Sequence, residues 1–142
     1  MREILFRGKR LDNGEWIEGN LIRYRNGEAA IIELAGLRLR SVNPDTVVQF
    51  TGLTDKNGKK IFEGEVLDMS ILRTDHSLNA VSMEYGAFGF YPLHPEEEAE
   101  EDRRWRSFWR DDEQEMWDEE YFTVVGNIYD NPEMLGGATD NG

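Results

Sequence analysis

The chain contains no cysteine, and this absence removes several classes of function at once. Disulfide bonds, thiolate metal sites and cysteine nucleophiles are all excluded. Histidine is also scarce: only His76 and His94 occur, and no carboxylate stands at the spacing of a His-Glu-x-x-His metal motif. We therefore expect both to be exposed loop histidines rather than metal ligands, and we expect no cofactor.

Long apolar runs are missing as well. Arg7, Lys9 and Arg10 interrupt the N-terminal apolar stretch, so no signal peptide is predicted. No segment approaches the roughly 20 apolar residues that a membrane-spanning helix needs. From the sequence we expect a soluble, cytoplasmic protein without a membrane partner.

Basic charge is scarce in the second part of the chain. Residues 1–60 carry 11 basic and 8 acidic side chains, whereas residues 61–142 carry 5 basic and 21 acidic ones. Thirteen of the acids lie between residues 96 and 120, and the whole chain has a net charge of −13. This balance makes direct nucleic-acid binding an unfavoured function, because phosphate backbones require a basic stripe. The asymmetry would let an acidic segment dock on a basic surface within one chain or between copies, although solvated charge is the simpler interpretation.

The sequence lacks the common catalytic motifs. The sequence has neither a Gly-x-Ser-x-Gly elbow nor a phosphate-binding Gly-x-x-x-x-Gly-Lys loop. Glu18 and Glu63 could be imagined as an acid–base pair, but a glutamate before a glycine is more often a turn or edge-strand residue. We therefore predict that the protein is not an enzyme.

Two charged clusters also have ordinary explanations. The carboxylates of Asp111, Asp112 and 118–120 could gather a divalent cation, yet consecutive helical positions point in different directions. Lys56, Lys59 and Lys60 beside a glycine turn could touch phosphate, but lysines at a hairpin tip are typical surface residues. We predict no metal site and no phosphate site.

What the chain does have is aromatic residues and glycine-punctuated strands. Four tryptophans, five tyrosines and seven phenylalanines in 142 residues can supply a core for one domain. The stretch 47–67 shows apolar runs on both sides of an Asp55-Lys56-Asn57-Gly58 turn, which predicts strand, tight turn, strand. Similar runs predict strands at 3–6, 16–22, 29–34, 37–42, 46–50, 66–72, 80–85, 87–91 and 121–129.

A faint internal repeat accompanies these strands. Asn13-Gly14 precedes Glu18-Gly19 and an apolar pair, just as Asn57-Gly58 precedes Glu63-Gly64 and an apolar pair. Two related hairpins or chance reuse of a favourable turn would each explain it.

The pattern changes after Pro95, where acids follow a proline as at a helix start. Trp105, Phe108, Trp109 and Met116 fall on one side of a helical wheel, which predicts a helix over about residues 100–119. Tryptophans among arginines are also typical of binding hot spots. The candidate interaction surface is Trp105, Phe108, Trp109 and Trp117; the alternative is that they form part of the protein's own core, partly shared with a neighbouring copy.

The small, polar tail 136–142 is predicted to be disordered.

Several of these segments resemble one known family. The start MREILFRGKR, the segment 12–19 (DNGEWIEG), the segment 49–64 (QFTGLTDKNGKKIFEG) and the ending 125–135 (VGNIYDNPEML) are similar to the YopX family of bacteriophage and prophage proteins. The resemblance implies a phage or prophage origin, hence a bacterial host cell, and self-association. It implies no activity and assigns no functional residues.

The fold predicted from residues and resemblance together is mainly β: a small barrel-like antiparallel domain over residues 1–135, of SH3-like barrel character, with one late α-helix. The function expected first is a self-associating phage accessory protein that binds another phage or host protein. The alternative is a small-barrel protein that binds nucleic acid or mimics DNA through its acidic half.

Overall fold

The computed structural model describes residues 3–69, 78–97, 104–110, 115–116 and 119–136, and within these ranges the protein is mainly β. One short α-helix, α1 (Glu133–Gly136), is present in this part of the chain. The strands are β1 (Phe6–Lys9), β2 (Trp16–Arg23), β3 (Ala29–Glu33), β4 (Leu39–Val42), β5 (Val48–Thr54), β6 (Lys60–Phe62), β7 (Glu65–Asp68), β8 (Leu78–Glu84), β9 (Ala87–Pro92), β10 (Arg106–Ser107), β11 (Trp109–Arg110), β12 (Glu115–Met116) and β13 (Thr123–Asn127).

The chain divides into two compact units, Met1–Gly52 and Leu53–Gly142. One antiparallel sheet has the strand order β4-β3-β2-β1-β5-β6, and a second has the order β10-β9-β8-β7-β13. A further pair, β11 and β12, forms a two-stranded ribbon. The mainly β prediction is confirmed, whereas the single domain stays a prediction.

The first unit is a meander whose core comes from alternating strand residues. Ile17, Ala29, Ile31 and Val42 are buried together. Ile31 pairs with Leu21 on one side and with Arg40 on the other, so β2, β3 and β4 are in continuous register.

The first sheet shows no closed barrel among the described residues, and the barrel character remains a prediction. An isolated bridge between Arg10 and Val42 links the end of β1 to β4. The Asn43 N–H also donates to the Lys9 carbonyl at 2.8 Å. These bonds protect part of the β4 edge from solvent.

The second unit is built on a twofold alternation of apolar residues. On one face of its sheet Leu67, Val81 and Phe90 are buried in a cluster with further residues, namely Ile61, Met69, Phe88, Phe108 and Phe122. On the opposite face Val66 and Ala80 pack with Leu93, and Met134 of α1 lies against them. Both faces are therefore covered, which explains why the adjacent apolar residues Val66 and Leu67 of β7 are both fully buried.

Asp55 fixes the hairpin between β5 and β6 to the last strand. Its side chain is only 3% exposed, and Oδ1 accepts from the N–H groups of Asn57 and Lys59, each at 2.9 Å. Oδ2 accepts from the Val124 N–H of β13 at 3.0 Å. Burial acts to raise the pKa of Asp55, but the three amide hydrogen bonds outweigh it, so this pKa lies below its ordinary value.

The predicted helix over residues 100–119 is wrong for the part of this segment that the structure describes. Residues 106–107 and 109–110 are short strands, 115–116 is the partner of 109–110, and 119–121 is a 3-10 turn. The Phe108 N–H donates to the Phe88 carbonyl, at 3.2 Å, instead of to a helical carbonyl. Aromatic residues suit a pleated surface, and tertiary packing on β9 overrides the helical spacing.

The strand predictions were largely correct, with boundaries shifted by a few residues. The internal repeat does not extend to the structure, because its two glycines differ. Gly19 lies within β2, opposite Glu33, whereas Gly64 lies in a turn between β6 and β7 with φ +83°. Within the described ranges no helix is long and apolar enough to cross a membrane.

Candidate interaction surface

The structure gives different environments to Trp105 and Phe108, two of the four aromatic residues that the sequence grouped together. Phe108 is buried in the core, with ring centroids 5.2 Å from Phe90 and 5.3 Å from Phe122. Trp105 is half-buried, and Trp109 belongs to strand β11. Trp117 lies outside the described residues. Of the two whose side chains are described, only Trp105 reaches the surface.

Trp105 packs closely against a glycine of strand β9. A Cβ placed on Gly89 would be 2.5 Å from both Cε2 and Cζ2 of the indole, so only a glycine allows this approach. Gly89 pairs with Ser82 of β8. The Trp105 Nε1 and the Ser82 Oγ are both buried and have no hydrogen-bond partner among the described residues. The Trp105 Nε1 and the Ser82 Oγ therefore both belong to residues that neighbour Gly89.

Tyr85 extends the aromatic surface at the tip of the β8–β9 hairpin. It forms a two-residue loop with Gly86, and both have positive φ, +55° and +80°. Such loops favour Asn-Gly, because a β-carbon in the left-handed region is strained. Tyr85 is nevertheless 93% exposed, and its ring meets Trp105 edge-on with centroids 5.9 Å apart. We call Tyr85 and Trp105, with the exposed Arg104 that precedes the indole, the aromatic tip.

The surroundings of the aromatic tip carry charge of both signs. Glu84 and Arg104 are exposed, one before each aromatic residue. Burial, and then the charge of Glu84, raise the pKa of Tyr91 above its ordinary value. The aromatic tip thus carries one cation, Arg104, and the anion Glu84 lies beside it.

A second exposed apolar feature lies in the first unit, at the β3–β4 turn. Leu34, Leu37 and Leu39 are all exposed, and Leu37 is 77% exposed with φ +51°. Leu37 and Tyr85 are the two non-glycine residues with positive φ in the described part of the chain, and both are exposed apolar residues of hairpin turns. Turn positions of this kind are usually polar or glycine.

Arginines flank this apolar turn. Arg10 makes a two-pronged ion pair with Asp12, at 2.9 and 2.5 Å, and the Arg40 Nε lies 2.9 Å from the Glu33 Oε1. The hydrogen bond from Arg10 lowers the pKa of Asp12. Arg10 and Arg40 line a shallow depression of about 280 Å³ together with Leu11, Asp12, Leu39 and Ser41.

The remaining sequence candidates are dispersed. His94 Nδ1 lies 4.0 Å from Glu96 Oε1, and His76 lies outside the described residues. Within the described ranges no three His, Asp or Glu side chains gather as a metal site would require. Glu18 is an exposed residue of strand β2, and Glu63 lies in the turn after β6. Asp111 and Asp112 fall outside the described residues.

Sequence reasoning missed Tyr85 and Leu37. A signal for Tyr85 was available: Tyr85-Gly86 stands between two alternating apolar segments, where a two-residue hairpin turn would favour Asn-Gly. For Leu37 the signal was the turn sequence Leu-Ala-Gly-Leu at 34–37, which has no polar side chain.

The fold and the exposed turns define a small β protein of two antiparallel sheets with apolar hairpin tips. The family model described as YopX protein matches residues 5–136, so the chain belongs to the YopX family, and the resemblance predicted from its motifs is confirmed. A crystal structure of protein EF1440 from Enterococcus faecalis is similar, with a TM-score of 0.54 over 95% of this chain and 99% of that chain. The two sequences are 22% identical, so this likeness concerns the fold alone. No curated protein matches the chain.

Proposed function

We propose that this protein is a phage or prophage accessory protein that self-associates and acts by binding other proteins, without catalysis. The chain belongs to the YopX family. The phage or prophage origin is part of the proposal, because the resemblance to this family implies it. The lack of cysteine and of nucleophile and phosphate motifs in the sequence supports a binding role over an enzymatic one.

The observation that carries the proposal is the aromatic tip. A non-glycine residue in the left-handed region costs about 1–2 kcal/mol. The Tyr85 ring is 93% exposed and makes one edge-on contact, with Trp105, so burial within the chain offsets little of this cost. Strain of this kind is typical of positions that serve binding instead of stability. Tyrosine, tryptophan and arginine are also the residues most enriched among binding hot spots, and all three occur at the tip.

The substitution Tyr85→Asn tests this proposal, because it should separate stability from association. Asparagine fits the loop better than tyrosine, so the free energy of unfolding should rise by about 0.5–1 kcal/mol. Self-association, measured by sedimentation equilibrium over a wide concentration range, should weaken at the same time.

Tyr24→Asn is the matched control, because it removes another exposed turn tyrosine whose own φ is not positive. It should leave association unchanged. Wild-type protein that stays monomeric at high micromolar concentration would contradict self-association. Equal association of wild type and Tyr85→Asn would remove the aromatic tip from the interface.

A further inference from the structure

Strand β4 is an edge strand, and only part of its outer side is hydrogen-bonded to other residues of the described chain. The Glu33 N–H donates to the Arg38 carbonyl at 2.8 Å, so these two residues form a hydrogen-bonded pair. Hydrogen-bonded and non-hydrogen-bonded pairs alternate along an antiparallel ladder. The next pair, Ile32 with Leu39, is therefore non-hydrogen-bonded, and the main-chain N–H and C=O of Leu39 point away from β3.

The two outward-facing positions of β4 differ in what covers them. The Ser41 carbonyl accepts from the Leu11 N–H at 3.0 Å, which occupies that part of the edge. Leu39 makes no such bond with the described residues, and its side chain is 55% exposed. One main-chain donor and one acceptor are thus available beside an exposed leucine.

The side chains around Leu39 are apolar or charged, and the carboxylate among those that line the depression, Asp12, is paired with Arg10. Leu37 and Leu11 are exposed on the same strand end and on the neighbouring loop. Arg38 is exposed and has no ion pair among the described residues. Arg40 lines the depression and is already paired with Glu33. The β4 edge therefore offers an apolar surface beside one cation, Arg38, that is unpaired within the described ranges. The chain as a whole has a net charge of −13.

We propose that the β4 edge binds an extended segment of another protein in which acidic and apolar side chains alternate. Strand addition to a sheet edge uses main-chain hydrogen bonds for affinity and alternate side chains for specificity. The Leu39 main chain would hold the segment, its apolar residues would cover Leu37 and Leu39, and its acids would pair with Arg38. This inference rests on the proposed function as a binding module, and adds the site and the chemistry of the partner.

A second copy of β4 fits this edge less well than an acidic segment does. Pairing two copies antiparallel about Leu39 would place Arg38 of one opposite Arg40 of the other. Like charges directly opposite each other on neighbouring strands are destabilising. Charge complementarity therefore favours an acidic segment over a second copy of β4.

The direct test is an NMR titration of the full-length, isotope-labelled protein with short synthetic peptides. A peptide of alternating glutamate and valine should shift the backbone amide signals of residues 37–40. A peptide of alternating lysine and valine should bind about tenfold more weakly, because its charges repel Arg38. Equal binding of the two peptides, or amide shifts confined to other residues, would overturn the proposal.

Two variants sharpen this test. Leu39→Pro removes the outward N–H without breaking the β3 ladder, and should abolish binding of the acidic peptide. Arg38→Glu keeps the backbone intact and should reverse the preference between the two peptides. Arg25→Glu, at the exposed β2–β3 turn, is the matched control and should leave the preference unchanged.

The outcome is separable from that of the proposed function. Tyr85→Asn should bind the acidic peptide as wild type does, whether or not it self-associates. Loss of self-association in Arg38→Glu, measured by sedimentation, would instead assign the β4 edge to a second copy and contradict a foreign partner.

Discussion

At the scale of the residue, Asp55 shows how much one buried carboxylate can organise. It satisfies two amides of its own turn and one amide of β13, 69 residues later in the chain. The sequence identified the Asp55-Lys56-Asn57-Gly58 turn, because aspartate accepts hydrogen bonds from nearby backbone and glycine adopts positive φ, both of which are typical of tight turns. It did not reveal the bond to Val124, since nothing local indicates a partner so distant.

Asp55→Asn should lower the free energy of unfolding by about 2 kcal/mol. The amide oxygen can replace Oδ1, but the amide nitrogen would face the Val124 N–H, leaving two donors opposed in a buried place. Urea unfolding at neutral pH measures the loss. Asp45→Asn, at an exposed aspartate, is the control and should cost less than half as much. Equal costs would mean that the bonds of Asp55 add little.

The same carboxylate should make stability depend on pH. Because its pKa is lower in the folded protein than in the unfolded chain, its contribution is present above the unfolded pKa of about 3.9. That contribution is lost as the pH falls through the folded pKa. Unfolding measured from pH 6 downward should therefore show a steeper acid loss in wild type than in Asp55→Asn. Parallel curves would contradict this assignment.

At the scale of the element, the β9–β10 pairing explains why the helix prediction failed. Trp105 and Phe108 are three residues apart, as on one helical face, yet one lies on Gly89 and the other in the core beside Phe90. Short strands joined by an irregular residue produce the same spacing. The strands of the first unit were predictable because Asn-Gly turns and alternation are local signals, whereas the packing of an indole on a glycine is not.

Gly89→Ala should therefore destabilise the second unit. The added methyl group would lie 2.5 Å from the indole and 2.3 Å from the Arg106 carbonyl oxygen, so β10 must shift. Overpacking of this kind costs about 1–3 kcal/mol, measurable by urea unfolding.

The double variant Gly89→Ala/Trp105→Ala provides the control, because the indole is then absent. Its cost should be less than the sum of the two single costs. Strict additivity would show that Gly89 and Trp105 do not interact.

At the scale of the whole molecule, charge is the property that sequence alone established best. Twenty-nine acids against 16 basic side chains give self-repulsion that opposes the compact state. The sequence suggested one domain, which stays a prediction, and it gave no sign of the two compact units that meet after residue 52. No change in composition marks residue 52, because β5 runs on through it.

Salt should accordingly stabilise the protein. Raising sodium chloride from very low to physiological ionic strength should increase the free energy of unfolding by on the order of 1 kcal/mol, since screening weakens repulsion between exposed acids. Potassium chloride should act equally, as screening depends on ionic strength. A decrease with salt would mean that attractive pairs such as Arg10–Asp12 outweigh the repulsion.

The bond between Asp55 and Val124 also constrains the order of events during translation. During translation the hairpin between β5 and β6 leaves the ribosome before residue 124 does. The hydrogen bond from the Val124 N–H to Asp55 cannot form until residue 124 has emerged as well. The pairing of strand β7 with β13 likewise cannot form before β13 has emerged. The second unit should therefore complete its fold only after β13 has been synthesised.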